Sequence, residues 1–193
     1  RDTDRSRGLG DVYKRQFYNC AKLTGITIPD SVKEISDYAF YGCSALTNII
    51  LSENSKLQGV YDHAFEYAGI ENFDMPAEMT VLGAYAFRGA KLKTFTFNEK
   101  LEEIGEYALA ESGLTETTEL VVPSSVEYIG RSALKDILSL EKLSIPFLGM
   151  AEINTNSENT IKYLFSDISK LDGLKKISVL GLSLIHISEP TRP

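Results

Sequence analysis

His63, Cys20 and Cys43 are the side chains of the central part of this 193-residue chain that are best suited to catalysis or metal binding. A histidine serves as a general base only when partners from elsewhere in the chain hold it and receive its proton. No motif marks such partners. His63 instead stands in a column with Tyr38, Tyr85, Tyr107 and Ser132, each one residue before an alanine. That column predicts a histidine stacked beside tyrosines. A structural zinc site needs several Cys or His ligands at set spacings, and one histidine with scattered carboxylates does not provide them. No Asp-rich calcium loop occurs, and the "GLG" at residue 8 is no phosphate loop. The expectation is therefore a chain with no catalytic residues, no metal and no cofactor, and not an enzyme.

Cys20 and Cys43 occupy the same slot of successive units, a slot that continues as Ala68, Ala90, Ser112 and Ile137. It asks mainly for a compact, buried side chain, which free cysteine supplies. Adjacent units would hold the two Cα atoms about 5 Å apart, inside the disulfide window. Equivalent side chains in a stack point the same way, however, so the torsions suit a disulfide poorly. Two free thiols are favoured.

The columns come from an internal repeat, and the repeat positions every residue just named. Aligned on Phe17, Phe40, Phe65, Phe87, Leu109 and Leu134, the chain falls into register with steps of 23, 25, 22, 22 and 25 residues. Each unit carries a short alternating stretch: Ile26-Thr27-Ile28, Phe73-Asp74-Met75, Phe95-Thr96-Phe97, Leu120 with Val122, Leu143-Ser144-Ile145. Period-two alternation predicts strands with two side chains in and one out. Pro29, Pro76, Pro123 and Pro146 stop them, because proline lacks the ladder donor. A second apolar pair follows: Val32/Ile35, Leu57/Val60, Met79/Leu82, Leu101/Ile104 and Val126/Ile129. The chain then turns inward at Ala39-Phe40, Ala64-Phe65, Ala86-Phe87, Ala108-Leu109 and Ala133-Leu134. One unit has too little core to stand alone, whereas stacked units share a continuous one. The prediction is a solenoid.

The "AFYGC" opening, "LTGITIP" strand and "VEYIGRSAL" closing resemble the BspA-like, or treponemal-type, leucine-rich repeat. The resemblance implies a right-handed leucine-rich-repeat solenoid of mostly short parallel β-strands with turns and short helical turns. It covers residues 17–146. Residues 147–173 resemble a longer insertion within such an array, and 174–181 the first strand of the next repeat. The family association further implies a secreted or cell-surface binding and adhesion module that recognises an extracellular or host protein or a glycan. Two alternatives stay open: a targeting module of a larger secreted enzyme, and an intracellular scaffold.

The ends read differently. Codons can be written for Arg5–Gln16 whose reverse complement encodes Leu182–Pro193, residue for residue. No folding requirement produces that relation, and an inverted DNA element flanking an insert does. Residues 1–16 and 182–193 are therefore expected to derive from a sequencing adapter, to lie outside the solenoid, and to flank a truncated metagenomic fragment. Leu182–Ile187 could still add a strand. A cut array exposes a strand edge and apolar core at each end, so end-to-end self-association is expected.

Without those ends the chain keeps 14 basic and 23 acidic side chains, a formal charge of −9. Such a charge argues against nucleic acid, which needs a basic face. No apolar run is long enough to span a bilayer. What remains for function is surface. Outward positions of the strand wall vary most between repeats at Glu71, Asn72, Asp74, Lys93, Thr94 and Thr96, the candidate partner-binding residues.

Overall fold

A computed structural model of the chain describes residues 14–146, 162–166, 173–179 and 185–186. Its strands are β1 (Gly25–Thr27), β2 (Glu34–Ile35), β3 (Asn48–Ile50), β4 (Gly59–Val60), β5 (Val81–Leu82), β6 (Glu103–Ile104), β7 (Glu119–Val121), β8 (Tyr128–Ile129), β9 (Lys142–Ile145), β10 (Lys176–Val179) and β11 (Ile185–His186). The molecule is a solenoid of parallel strands, with a helical turn at 162–165 among the described residues. Every unit crosses two walls and one corner.

The second apolar pair builds the more regular wall. β2, β4, β5, β6 and β8 form a five-stranded parallel sheet in that order. Ile35, Val60, Leu82, Ile104 and Ile129 stand in one register row. With two residues per rung there is no alternation to read, which is why the sequence pattern shows the apolar pair and not the strand. The glycines that follow are demanded by close approach. A Cβ on Gly105 would overlap the backbone of Gly83 and Ala84, and one on Gly130 would overlap Gly105 and Glu106.

The corner is held by a backbone ladder. Phe40 N–H donates to Ala64, Phe65 to Ala86, Phe87 to Ala108 and Leu109 to Ala133, at 2.8–2.9 Å. Two residues per unit sit at positive φ: Tyr38, His63, Tyr85, Tyr107 and Ser132 in one column, and Asn19, Gly42, Tyr67, Gly89, Glu111 and Asp136 four residues later. Inside the corner the rings of Phe17, Phe40, Phe65 and Phe87 stack at 5.1, 5.1 and 5.2 Å. Leu109 and Leu134 continue the column, and Phe165 closes it, all buried.

The strand wall departs from expectation in its centre. β1 pairs with β3, and β7, β9 and β10 pair farther along. Phe73–Met75 and Phe95–Phe97 form no ladder between them. Their in-out pattern survives, with Phe73 and Phe95 buried and Asp74 and Thr96 exposed. The inward slots elsewhere hold Ile, Leu or Val; here Phe73 and Phe95 wedge against Phe87, centroids at 4.9 and 5.7 Å, and Phe95 meets Phe97 at 5.4 Å. Rings of that size, on a turn one residue shorter, hold the two backbones out of pairing reach. The wall stays joined at its upper rung, where Lys93 N–H donates to Glu71 at 2.8 Å.

The N-terminal end does more than expected. Arg15 N–H donates to Asp37, and the Arg15 guanidinium lies over Tyr38 at 5.1 Å, so residues 14–16 join the corner. The corner is made by backbone bonds, and they accept any residue that tolerates the turn. At the other end β11 pairs antiparallel with β10. Within 147–173, Leu134 N–H donates to Leu164, and Leu164 and Phe165 are buried against the array. Residues 1–13, most of 147–172 and most of 180–193 lie outside the described residues.

Candidate functional site

The six candidate residues are brought together on the central strand wall. Asn72, Asp74, Thr94 and Thr96 are exposed, and Glu71 and Lys93 are half-exposed. Lys93 Nζ reaches Glu71 Oε2 at 2.6 Å. The hydrogen bond and charge of Lys93 hold the Glu71 carboxyl below its usual range, and those of Glu71 raise Lys93. The pair is solvated, so it fixes geometry more than it stabilises the fold. Similar cross-repeat pairs, Lys142–Glu119 at 3.4 Å and Lys175–Glu141 at 3.0 Å, continue the line. Two apolar side chains flank the group on the outward column, Ile50 and Val121, each 50% exposed. The wall therefore offers a polar centre between two apolar shoulders, over a stretch where Phe73–Met75 and Phe95–Phe97 form no ladder.

His63 lies between Tyr38 and Tyr85, rings stacked at 4.4 and 4.6 Å, and its Nδ1 meets Glu66 Oε2 at 2.5 Å. Glu66 also faces Arg88 at 3.4 Å. The two tyrosine rings cover both faces of the imidazole, and Glu66 holds its Nδ1 edge. Cys43 is buried and free, with its thiol donating to Phe17 O at 2.9 Å. Cys20 is also free but exposed, because it occupies the first described unit. Among the described residues no group of three His, Cys, Asp or Glu could hold a metal ion, and no helix is long and apolar enough to cross a membrane.

The alignment on phenylalanine did not bring out a second surface, the ridge along the corner. It combines the column Tyr38, His63, Tyr85, Tyr107 with Tyr18, Tyr41 and Tyr67 from the two positions after each core ring. Tyr85 and Tyr107 stack at 5.0 Å, and Tyr18 and Tyr41 at 4.9 Å. Tyr67 breaks the order: it meets Tyr41 edge-on at 87° and is 42% exposed. Arg88 lies over Tyr67 and Tyr85 at 5.7 Å and bonds onward to Glu111 at 3.6 Å, which meets Lys135 at 3.2 Å. Burial lowers the Arg88 pKa, but Glu111, Tyr67 and Glu66 outweigh it and the net shift is upward. The available signal was the concentration of tyrosine on one side of the aligned phenylalanine column.

Against known proteins, the sequence profile of the BspA type leucine rich repeat region matches six copies, over residues 10–141 and 112–180. No curated protein matches the chain. Among solved structures, a leucine-rich repeat protein from Eubacterium ventriosum is similar over 66% of this chain and 33% of its own, at 21% identity and a TM-score of 0.57. One from Bacteroides ovatus is similar over 84% of this chain and 57% of its own, at 19% identity and TM-score 0.46. The Treponema pallidum leucine-rich repeat protein is similar over 86% and 62%, at 21% identity and TM-score 0.44. The chain thus spans a third to under two thirds of the length of these proteins.

Proposed function

Because the chain belongs to the BspA-type leucine-rich repeat family, we propose that it is a non-catalytic recognition module of a secreted or cell-surface protein. It binds a polar protein or glycan partner through the strand wall. The observation that carries this reading is the cluster at Glu71, Asn72, Asp74, Lys93, Thr94 and Thr96, where the sequence varies between repeats and a 2.6 Å ion pair joins adjacent units. Phe73 and Phe95 are buried directly behind it. Side chains anchored by the buried rings lose less freedom than those of a free loop when a partner arrives. Both charge signs, an amide and hydroxyls suit a polar surface better than a lipid. Single modules bind weakly, and repeated copies supply avidity.

The test is a screen of the chain against immobilised matrix proteins and glycans. Hits are then retested with Asp74→Ala and Lys93→Ala. Loss of binding in either variant supports the wall. Indifference to both, with loss when the 147–172 segment is shortened, would move the site to that segment.

A further inference from the structure

The corner carries tyrosine where backbone physics asks for something else. Positive φ is a conformation that glycine and asparagine adopt cheaply and bulky residues adopt at a cost. Tyr38, Tyr85 and Tyr107 sit at φ 57, 58 and 53 in one column, and Tyr67 at φ 57 in the next. Such outliers persist only where the surroundings over-determine them, and they gather at ligand sites. The first column has a structural use for its rings, since each fills the space between its neighbours. Tyr67 does not. In its own column Gly42 and Glu111 manage without a ring, and its ring is turned out of the stack beside Tyr41. It occupies the space that a side chain on Gly89 would need. Its backbone is fixed, with N–H donating to Arg88 O at 2.8 Å.

We propose that Tyr67, with Arg88, Glu111 and Tyr41 around it, is a subsite for a neutral sugar ring. The exposed aromatic surface takes the C–H face of a pyranose. Arg88 donates to its hydroxyls and Glu111 accepts from them, both half-buried and about a third exposed, at 28% and 33%. The Tyr41 phenol, its pKa raised by burial and by Glu66, stays protonated as a further donor. A sugar fits this ridge better than a protein hot spot or a lipid does. The charges form one chain from Glu66 through Arg88, Glu111 and Lys135 to Asp136, so the two signs alternate along the ridge. The aliphatic side chain within it, Ala110, is fully buried. A hot spot would need apolar anchors in a desolvated centre; the ridge offers a ring and hydrogen-bonding groups. Among the described residues the buried polar side-chain atom without a partner is Arg88 Nε.

This subsite is on the corner and separate from the strand wall, so the two readings can fail independently. The experiment titrates the full chain with neutral hexasaccharides of glucose, mannose and galactose. Heat of binding and tyrosine emission are both recorded, since the chain has no tryptophan to mask it. At least one sugar is expected to bind. Tyr67→Ala should weaken it by about tenfold or more, with Tyr67→Phe close to the parent. Thermal unfolding should fall only modestly in Tyr67→Ala and not at all in Tyr67→Phe, because the ring is 42% exposed and its hydroxyl carries none of its packing. No response to any hexasaccharide overturns the subsite and leaves a protein partner for the wall standing. Binding that survives Tyr67→Ala but falls with Asp74→Ala overturns the subsite and assigns the sugar to the wall.

Discussion

Phe65 is fully buried and stacked on both sides, 5.1 Å from Phe40 and 5.2 Å from Phe87. Removing the ring leaves a cavity bounded by rings on the turns before and after, which cannot collapse into it without shortening the solenoid. Phe65→Ala should therefore destabilise the chain by about 3–5 kcal/mol in chemical denaturation; a change under about 1 kcal/mol would mean the column is not the core. Cys43 supports a prediction about pH. Burial raises its thiol pKa above the ordinary value, and the thiolate is the reactive form. Iodoacetamide near pH 8 should label one thiol per folded chain, Cys20, and reach Cys43 only after unfolding. The sign for stability follows: the fold prefers the neutral thiol, so this contribution is intact below the unfolded pKa and declines as pH rises through the thiol range. Both residues were legible in the sequence because they recur at a fixed phase. Tyr67 was not, since its neighbours in the column are Gly42, Gly89 and Glu111, and a residue that breaks a pattern is invisible to an alignment made on the pattern.

At the scale of elements, the two walls are unequal, and their protection should be too. The five-stranded sheet has every rung from β2 to β8, whereas Phe73–Met75 and Phe95–Phe97 lack the ladder that β1–β3 and β7–β9 possess. Hydrogen exchange should find slow amides at Val60, Leu82 and Ile104 and fast ones at Phe73, Asp74 and Thr96. Equal protection on both walls would contradict the broken ladder. The glycines of the regular wall test the same asymmetry from the other side. A methyl on Gly105 meets backbone, not a movable side chain, so Gly105→Ala should cost about 1–3 kcal/mol or more by overpacking. The alternation at 73–75 and 95–97 was legible, and the burial it implies is present. Pairing was not, because alternation reports which way side chains face and says nothing about how far apart bulky phenylalanines hold two backbones. The opposite holds for the five-stranded sheet, where pairing is complete and two-residue rungs leave no alternation to see.

At the scale of the whole molecule, a solenoid is a one-dimensional stack, so its cooperativity and its hazards both lie at its ends. Residues 182–193 read as foreign to the repeat, and yet β11 within them pairs antiparallel with β10. Antiparallel pairing suits a cap: a strand that returns along the last rung satisfies its polar groups without presenting the next parallel rung of a repeat. The core beneath that rung is closed by Phe165 and Ile177, both buried. At the opposite end β1 and β2 are each the outer strand of a sheet, while residues 14–19 cover only the corner, through bonds to Asp37, Ala39 and Tyr41. An outer strand with free amides is a template for another chain. These facts divide the expected self-association into two contacts of different strength. Deleting residues 182–193 should change thermal stability by no more than about 1 kcal/mol, because two short rungs hold β11. The same deletion uncovers β10, a four-residue parallel edge, opposite β1 of a second copy, an outer strand among the described residues. Light scattering should then show concentration-dependent, head-to-tail oligomers for the shortened chain and weaker association for the parent. If the shortened chain stays a monomer at high concentration, β11 is an incidental strand and the edge of β10 is closed by its own twist.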